Sequence, residues 1–138
     1  MILEQALQTK LKDVAGHARV YPDAVPDEQN VWPCIVYTHA GDDEQFGLNG
    51  VEATDHRDVY GLEIWGKDRV AVIALRDLLK AAFRGVNAQG IWGGTGGVVV
   101  AGAYAREATG DVAPSDDGSD RHDRCERLSL TVIWYGSL

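Results

Sequence analysis

Two cysteines, four histidines and 21 carboxylates are the groups of this 138-residue chain with types suited to chemistry. Cys34 or Cys125 could act as a nucleophile only with a histidine beside it as base. The histidines are scattered at His17, His39, His56 and His122, and no His-x-x-x-His or Cys-x-x-Cys pair offers zinc-ligand spacing. Cys34 and His39 lie five apart on one extended run, which turns them to opposite sides. Nothing in the sequence supplies either thiol with an activating partner. The pair is too small for a disulfide scaffold, and two reduced, buried thiols are the expectation.

Other patterns also stop short of a site. Gly93-Gly94-Thr95-Gly96-Gly97 suggests a phosphate loop, but such a loop turns a strand into a helix N-terminus and carries a nearby Lys. These glycines run instead into Val98-Val99-Val100, a strand, so a turn or bulge is expected. Asp116-Asp117-Gly118-Ser119-Asp120-Arg121-His122-Asp123 lacks the alternating acids and terminal Glu of a calcium loop. Trp32, Trp65, Trp92 and Trp134 could stack nucleobases, yet no basic groove accompanies them, so core or subunit contacts are the better assignment. The carboxylates fall in loops, without an apolar setting to raise one pKa for acid–base work. The reading is a protein without catalytic, metal or cofactor residues.

Around these residues stand the elements that would position them. Leu3, Ala6, Leu7, Leu11 and Val14 make one apolar stripe at helical spacing over 2–15, and Gly16 stops it. After Val20-Tyr21, the proline-containing stretch Pro22–Pro33 is an irregular connection. Cys34–Thr38 is a short strand buried on both faces. Asn49-Gly50 signals a tight turn. From 57 to 65, Tyr60, Leu62 and Ile64 alternate with Val59, Glu63 and Trp65. Asp68 caps a helix over 69–84 whose stripe is Ala71, Leu75, Leu78 and Ala82, widened by Val72, Leu79 and Phe83. Strands follow at about 98–106 and 124–135, the last with Leu128, Leu130, Val132 and Trp134 on one face.

The order α-β-β-β-α-β-β implies an α+β fold. Two amphipathic helices would cover one face of a mainly antiparallel or mixed sheet of about four to five strands, with long acidic loops. At 138 residues, with 45% hydrophobic and 25% charged residues, one domain spanning 1–138 is expected. No apolar run approaches the ~18–20 residues of a membrane span. The start, Met1-Ile2-Leu3-Glu4-Gln5, has no signal-peptide pattern, which points to the cytoplasm.

The net charge of −8 disfavours binding duplex DNA or anionic lipid through a broad basic face. The acidity is concentrated in two stretches, 40–58 and 107–123. Together they hold 12 of the 21 acids and only 2 of the 13 lysines and arginines, leaving a slightly basic body. Asp42, Asp43, Glu44, Glu52 and Asp55 mark the first, and Asp111, Asp116, Asp117, Asp120 and Asp123 the second. Like-charge repulsion keeps such segments from collapsing on themselves. Loops this long beside an absence of chemistry describe a subunit that orders them against neighbours.

The amphipathic start, Val20-Tyr21, Trp32-Pro33-Cys34-Ile35-Val36-Tyr37, Leu62-Glu63-Ile64-Trp65-Gly66 running into the helix 71–83, and the strand 127–134 together cover most of the chain. That pattern resembles the tail-completion, or tail-terminator, family of long-tailed, siphovirus-like bacteriophages. The resemblance implies a structural virion protein whose ring, usually a homohexamer, caps the tail tube, ends its polymerisation and offers the surface that joins the head. It also implies the partners: other copies of itself, the major tail-tube protein and a head–tail connector of the neck, with DNA passing through the lumen without specific binding and no membrane. The family brings no catalytic residues and no cofactor, and places the protein in the virion after assembly in the host cytoplasm. Asp111–Asp123 departs from the family pattern. The ten acids named above then become candidate interface or lumen residues. For 40–58 the lumen is favoured, where carboxylates repel phosphates; for 107–123, docking to a basic partner. Two alternatives stand beside this reading: a head–tail adaptor, and a small acidic inhibitor or DNA mimic. Loop placement of the acids argues against the mimic.

Overall fold

The computed structural model describes residues 2–17, 19–26, 31–46, 52–108 and 124–137. Helix α1, Leu3–Ala15, buries Leu3, Ala6, Leu7 and Leu11, and Gly16 closes it in the left-handed conformation at φ 76°. That conformation costs an L side chain most and glycine least. Ile2 N–H donates to Gln5 Oε1 at 3.3 Å, satisfying one amide at the helix start.

The chain then runs through β1, Val20–Pro22, to β2, Cys34–Phe46, and β3, Glu52–Gly66. Helix α2 spans Arg69–Ala82, and Asp68 caps it by accepting from Val70 N–H at 3.0 Å. Next come β4, Arg84–Gly85, a 3₁₀ turn at Val86–Ala88, and β5, Gly90–Trp92; β6, Val98–Glu107, and β7, Arg124–Ser137, complete the chain. The sheet is mixed and seven-stranded, in the order β1-β2-β3-β7-β6-β4 with β5 beside β6. Among the described residues, only β1 and β2 pair in parallel, and every other pairing is antiparallel.

The α+β expectation therefore holds, with more strands than the expected four to five. The two additional strands, β4 and β5, are two and three residues long. Segments so short contain less than one full cycle of alternation on each face, so no periodicity announces them. The glycine run 93–97 is the turn joining β5 to β6, closed by Gly97 N–H donating to the Gly94 carbonyl at 2.9 Å. A Cβ on Gly97 would collide with the Trp92 carbonyl.

One core lies between the helices and the sheet. Leu7 and Leu11 of α1 and Leu79 of α2 join Ile35, Leu62, Ile64, Leu128 and Leu130 from the central strands. The alternation expected for β3 and β7 is the one found: Tyr60, Leu62, Ile64, Leu128, Leu130 and Val132 are all buried. Cys34–Tyr37 is likewise buried on both faces. In α2 the apolar stripe is rotated from the expected one. Val72, Leu75 and Leu79 are buried, with Phe83 at the cap, whereas Leu78 is 47% exposed. Phe83 fixes that rotation by packing edge-on to Trp92 at 5.6 Å between centroids. The helix also ends earlier than 84, because Arg84 pairs with Tyr104 as part of β4.

Candidate functional site

The described residues of the first acidic stretch, 40–46 and 52–58, form an arm of two antiparallel strands, which corrects their assignment as a loop. β2 continues to Phe46 instead of ending at Thr38, and β3 begins at Glu52 instead of Arg57. In register, Asp42 lies opposite Asp58, Asp43 opposite Arg57, Glu44 opposite His56, and Phe46 opposite Glu52. Register shifts at His39/Gly41 and at Glu44/Phe46 interrupt the ladder, and such irregularities bend a strand and increase its twist. Since β7 pairs with β3 only from His56 onward, residues 52–55 have a strand neighbour on one side alone among the described residues. Polar, turn-prone residues hide the arm from a pattern search: Gly41, Asp42 and Asp43 all have low strand propensity. The backbone ladder holds them in place.

Asp42, Asp43 and Glu44 thus stand on β2, and Glu52 and Asp55 on β3. Loop placement as an argument against a DNA mimic does not apply to these five. Asp111, Asp116, Asp117, Asp120 and Asp123 lie outside the described residues, as does the Asn49-Gly50 turn. The strands flanking the second stretch are tied to α2. Arg76 approaches Glu107 at 3.6 Å and Glu126 at 3.5 Å, and Lys80 reaches Glu107 at 3.3 Å. These are largely exposed pairs, each worth at most about 1 kcal/mol.

At the base of the arm is a cluster that sequence reasoning missed. Asp58 and Tyr60 follow Leu62 and Ile64 on the helix-side face of β3, where the alternation turns from apolar to polar. The Asp58 carboxylate accepts from Trp134 Nε1–H at 2.6 Å and pairs with His39 Nε2 at 2.9 Å. Its side chain is only 13% exposed. His56 stacks on Trp134 with centroids 4.5 Å apart, and His39 meets Tyr60 edge-on at 5.1 Å. Burial, then the charges of Asp58 and Glu4, pushes the Tyr60 phenol far above its ordinary range. The signal was present in the sequence as an Asp and a His at positions where period two requires core residues.

The opposite face of the sheet holds the thiols. Cys34 lies opposite Trp65, and Trp65 opposite Cys125, in one row across three strands. Two strand spacings, about 9–10 Å, exceed the ~7 Å limit for bridging Cα atoms, and no disulfide joins the two cysteines. Cys34 is buried as expected; Cys125 is only half-buried. Burial, followed by the neighbouring Glu63 carboxylate at 3.7 Å, pushes the Cys125 thiol up to about 12. Such a thiol is a poor nucleophile.

No family model matches this chain, and no curated protein matches it either. Among solved structures, a match covers 97% of this chain and 92% of the other, with a TM-score of 0.50 and 16% sequence identity. That structure is described as the virion of a native gene transfer agent particle. In fold, this chain is similar to a chain of a virion.

Proposed function

We propose that this chain is a structural protein of a phage-type virion, acting at the end of the tail tube. In this reading, copies assemble into a ring, a homohexamer, that caps the tube, stops its growth and provides the surface for joining the head. The observation that carries it is the fold likeness to a virion chain over 97% of this sequence. The resemblance of the sequence pattern to tail-terminator proteins supports the same reading. The acidic arm of β2 and β3, together with the stretch 107–123, supplies the contacts to neighbouring copies, to the tube or to the neck. The role is architectural, and no residue is assigned to catalysis or to a cofactor.

Deleting the coding sequence from a particle-producing strain tests this. Electron microscopy should show unjoined heads and tails of unregulated length, restored to normal by expression in trans. Normal particles from the deleted strain would overturn the proposal. Unjoined heads with tails of normal length would place the chain as a head–tail adaptor instead.

A further inference from the structure

Beside the arm's base lies a cavity of about 380 Å³ between the first turn of α1 and the strands β2, β3 and β7. Small-molecule sites typically span about 300–1,000 Å³, so one long side chain fits. Trp134, Tyr60 and His39 supply aromatic surface, Leu3 and Ile2 supply aliphatic surface, and Asp58 and Glu4 supply two carboxylates among the described residues of its lining. Ile2, 62% exposed, adds apolar surface at this edge.

We propose that this cavity receives an arginine side chain presented by another protein. The Asp58 carboxylate carries the argument. A carboxylate has about four acceptor positions. Among the described residues, His39 occupies one on Oδ1 and Trp134 one on Oδ2, which leaves one on each oxygen. A free position on both oxygens of one carboxylate is the pattern that a guanidinium fork fills with two parallel N–H bonds. An indole brings no charge and an imidazole brings one only when protonated, so the partners Asp58 already has do not supply a permanent cation. Glu4, exposed on the first turn of α1, adds a second negative charge to the same space. That both carboxylates act on the Tyr60 phenol shows that their fields meet there. Aromatic faces beside a carboxylate favour the flat, weakly hydrated guanidinium over a compact ammonium. A metal is a poorer fit, because among the described residues no three His, Cys, Asp or Glu side chains stand together as a ligand set. A chain of net charge −8 with two carboxylates at this lining is complementary in charge to a basic partner.

The inference rests on the cavity and not on the virion reading, so it is tested on the free full-length chain. The ¹⁵N-labelled protein is titrated with N-acetyl-arginine amide, and in parallel with the lysine and citrulline amides. Saturable shifts are expected at the Trp134 indole N–H and the His39 and Tyr60 amides, with a dissociation constant on the order of a few millimolar. The lysine amide should bind at least about threefold more weakly, and the neutral citrulline amide should produce no saturable shift. Asp58→Asn should abolish the arginine response, and Glu4→Gln, on an exposed residue, should weaken it about threefold while leaving the fold intact. Citrulline binding equal to arginine, an unchanged response in Glu4→Gln, or no saturable shift in the wild-type chain would each overturn the proposal. Shifts of the same resonances on diluting the protein alone would assign the cavity to a second copy and overturn it as well.

Discussion

Cys125 illustrates how one carboxylate changes the chemistry of a half-exposed residue. Its thiol lies 3.7 Å from Glu63 and is pushed up to about 12, first by burial and then by that charge. The thiolate is the reactive species, so alkylation by iodoacetamide at pH 8 should run more than about tenfold slower than for an unperturbed thiol. Glu63→Gln removes the charge and should accelerate it, with the rate read by mass spectrometry; an unchanged rate would locate the effect in burial alone. His17 gives the matching case for a base. Burial lowers its pKa from 6.5, Arg19 adds to the effect, and its Nδ1 accepts from the Arg19 N–H at 3.1 Å. The unfolded chain therefore binds a proton more readily than the folded one just below pH 6.5. Stability tied to the neutral ring is fully present above that value and is lost as pH falls toward the lowered folded value. Urea denaturation at pH 7 and pH 5 should show a smaller acid loss in His17→Gln than in the parent chain. Both effects depend on three-dimensional neighbours, and neither Glu63 beside Cys125 nor Arg19 on His17 can be paired from the sequence.

The secondary structure was legible where the apolar period was strong. Leu3, Leu7 and Leu11 locate α1, and Tyr60-x-Leu62-x-Ile64 and Leu128-x-Leu130-x-Val132 locate the two strands at the centre of the sheet. It was illegible where backbone hydrogen bonding overrode side-chain propensity, as in the acidic extension 42–46 of β2, and where strands were too short to show a period, as in β4 and β5. In α2 the sequence offers more apolar residues than one face can bury, so the period alone leaves the helix rotation open by about one residue. Phe83 packing on Trp92 resolves it, and the consequence is measurable. Leu75→Ala removes a buried side chain and should cost about 2–5 kcal/mol. Leu78→Ala acts on a residue 47% exposed and should cost less than about 1 kcal/mol. Equal losses in chemical denaturation would mean that both residues face the core, as the wider stripe suggested.

At the scale of the molecule, the acidic arm works against the stability of the chain that carries it. Asp42 sits directly across the ladder from Asp58, and like charges at that position destabilise a strand pair by up to about 1 kcal/mol. Asp58 is further committed to Trp134 and His39. Acids that cost stability within a subunit are explained if the energy is returned when a basic surface docks, and charge of that kind acts mainly on the rate of encounter. The triple change Asp42→Asn, Asp43→Asn and Glu44→Gln separates the two effects. Because Asp43 lies opposite Arg57, its loss offsets part of the gain from Asp42, and the melting temperature should stay level or rise slightly. If the chain is the virion protein proposed above, incorporation of the variant into particles, measured by quantitative mass spectrometry of virions assembled from a parent–variant mixture, should fall severalfold at low salt. The difference should shrink as ionic strength rises and the Debye length drops from about 30 Å at 0.01 M to about 8 Å at 0.15 M. A lower melting temperature with full incorporation would mean that the acids serve the fold of the arm. Reduced incorporation that is independent of salt would point to shape instead of charge at that surface.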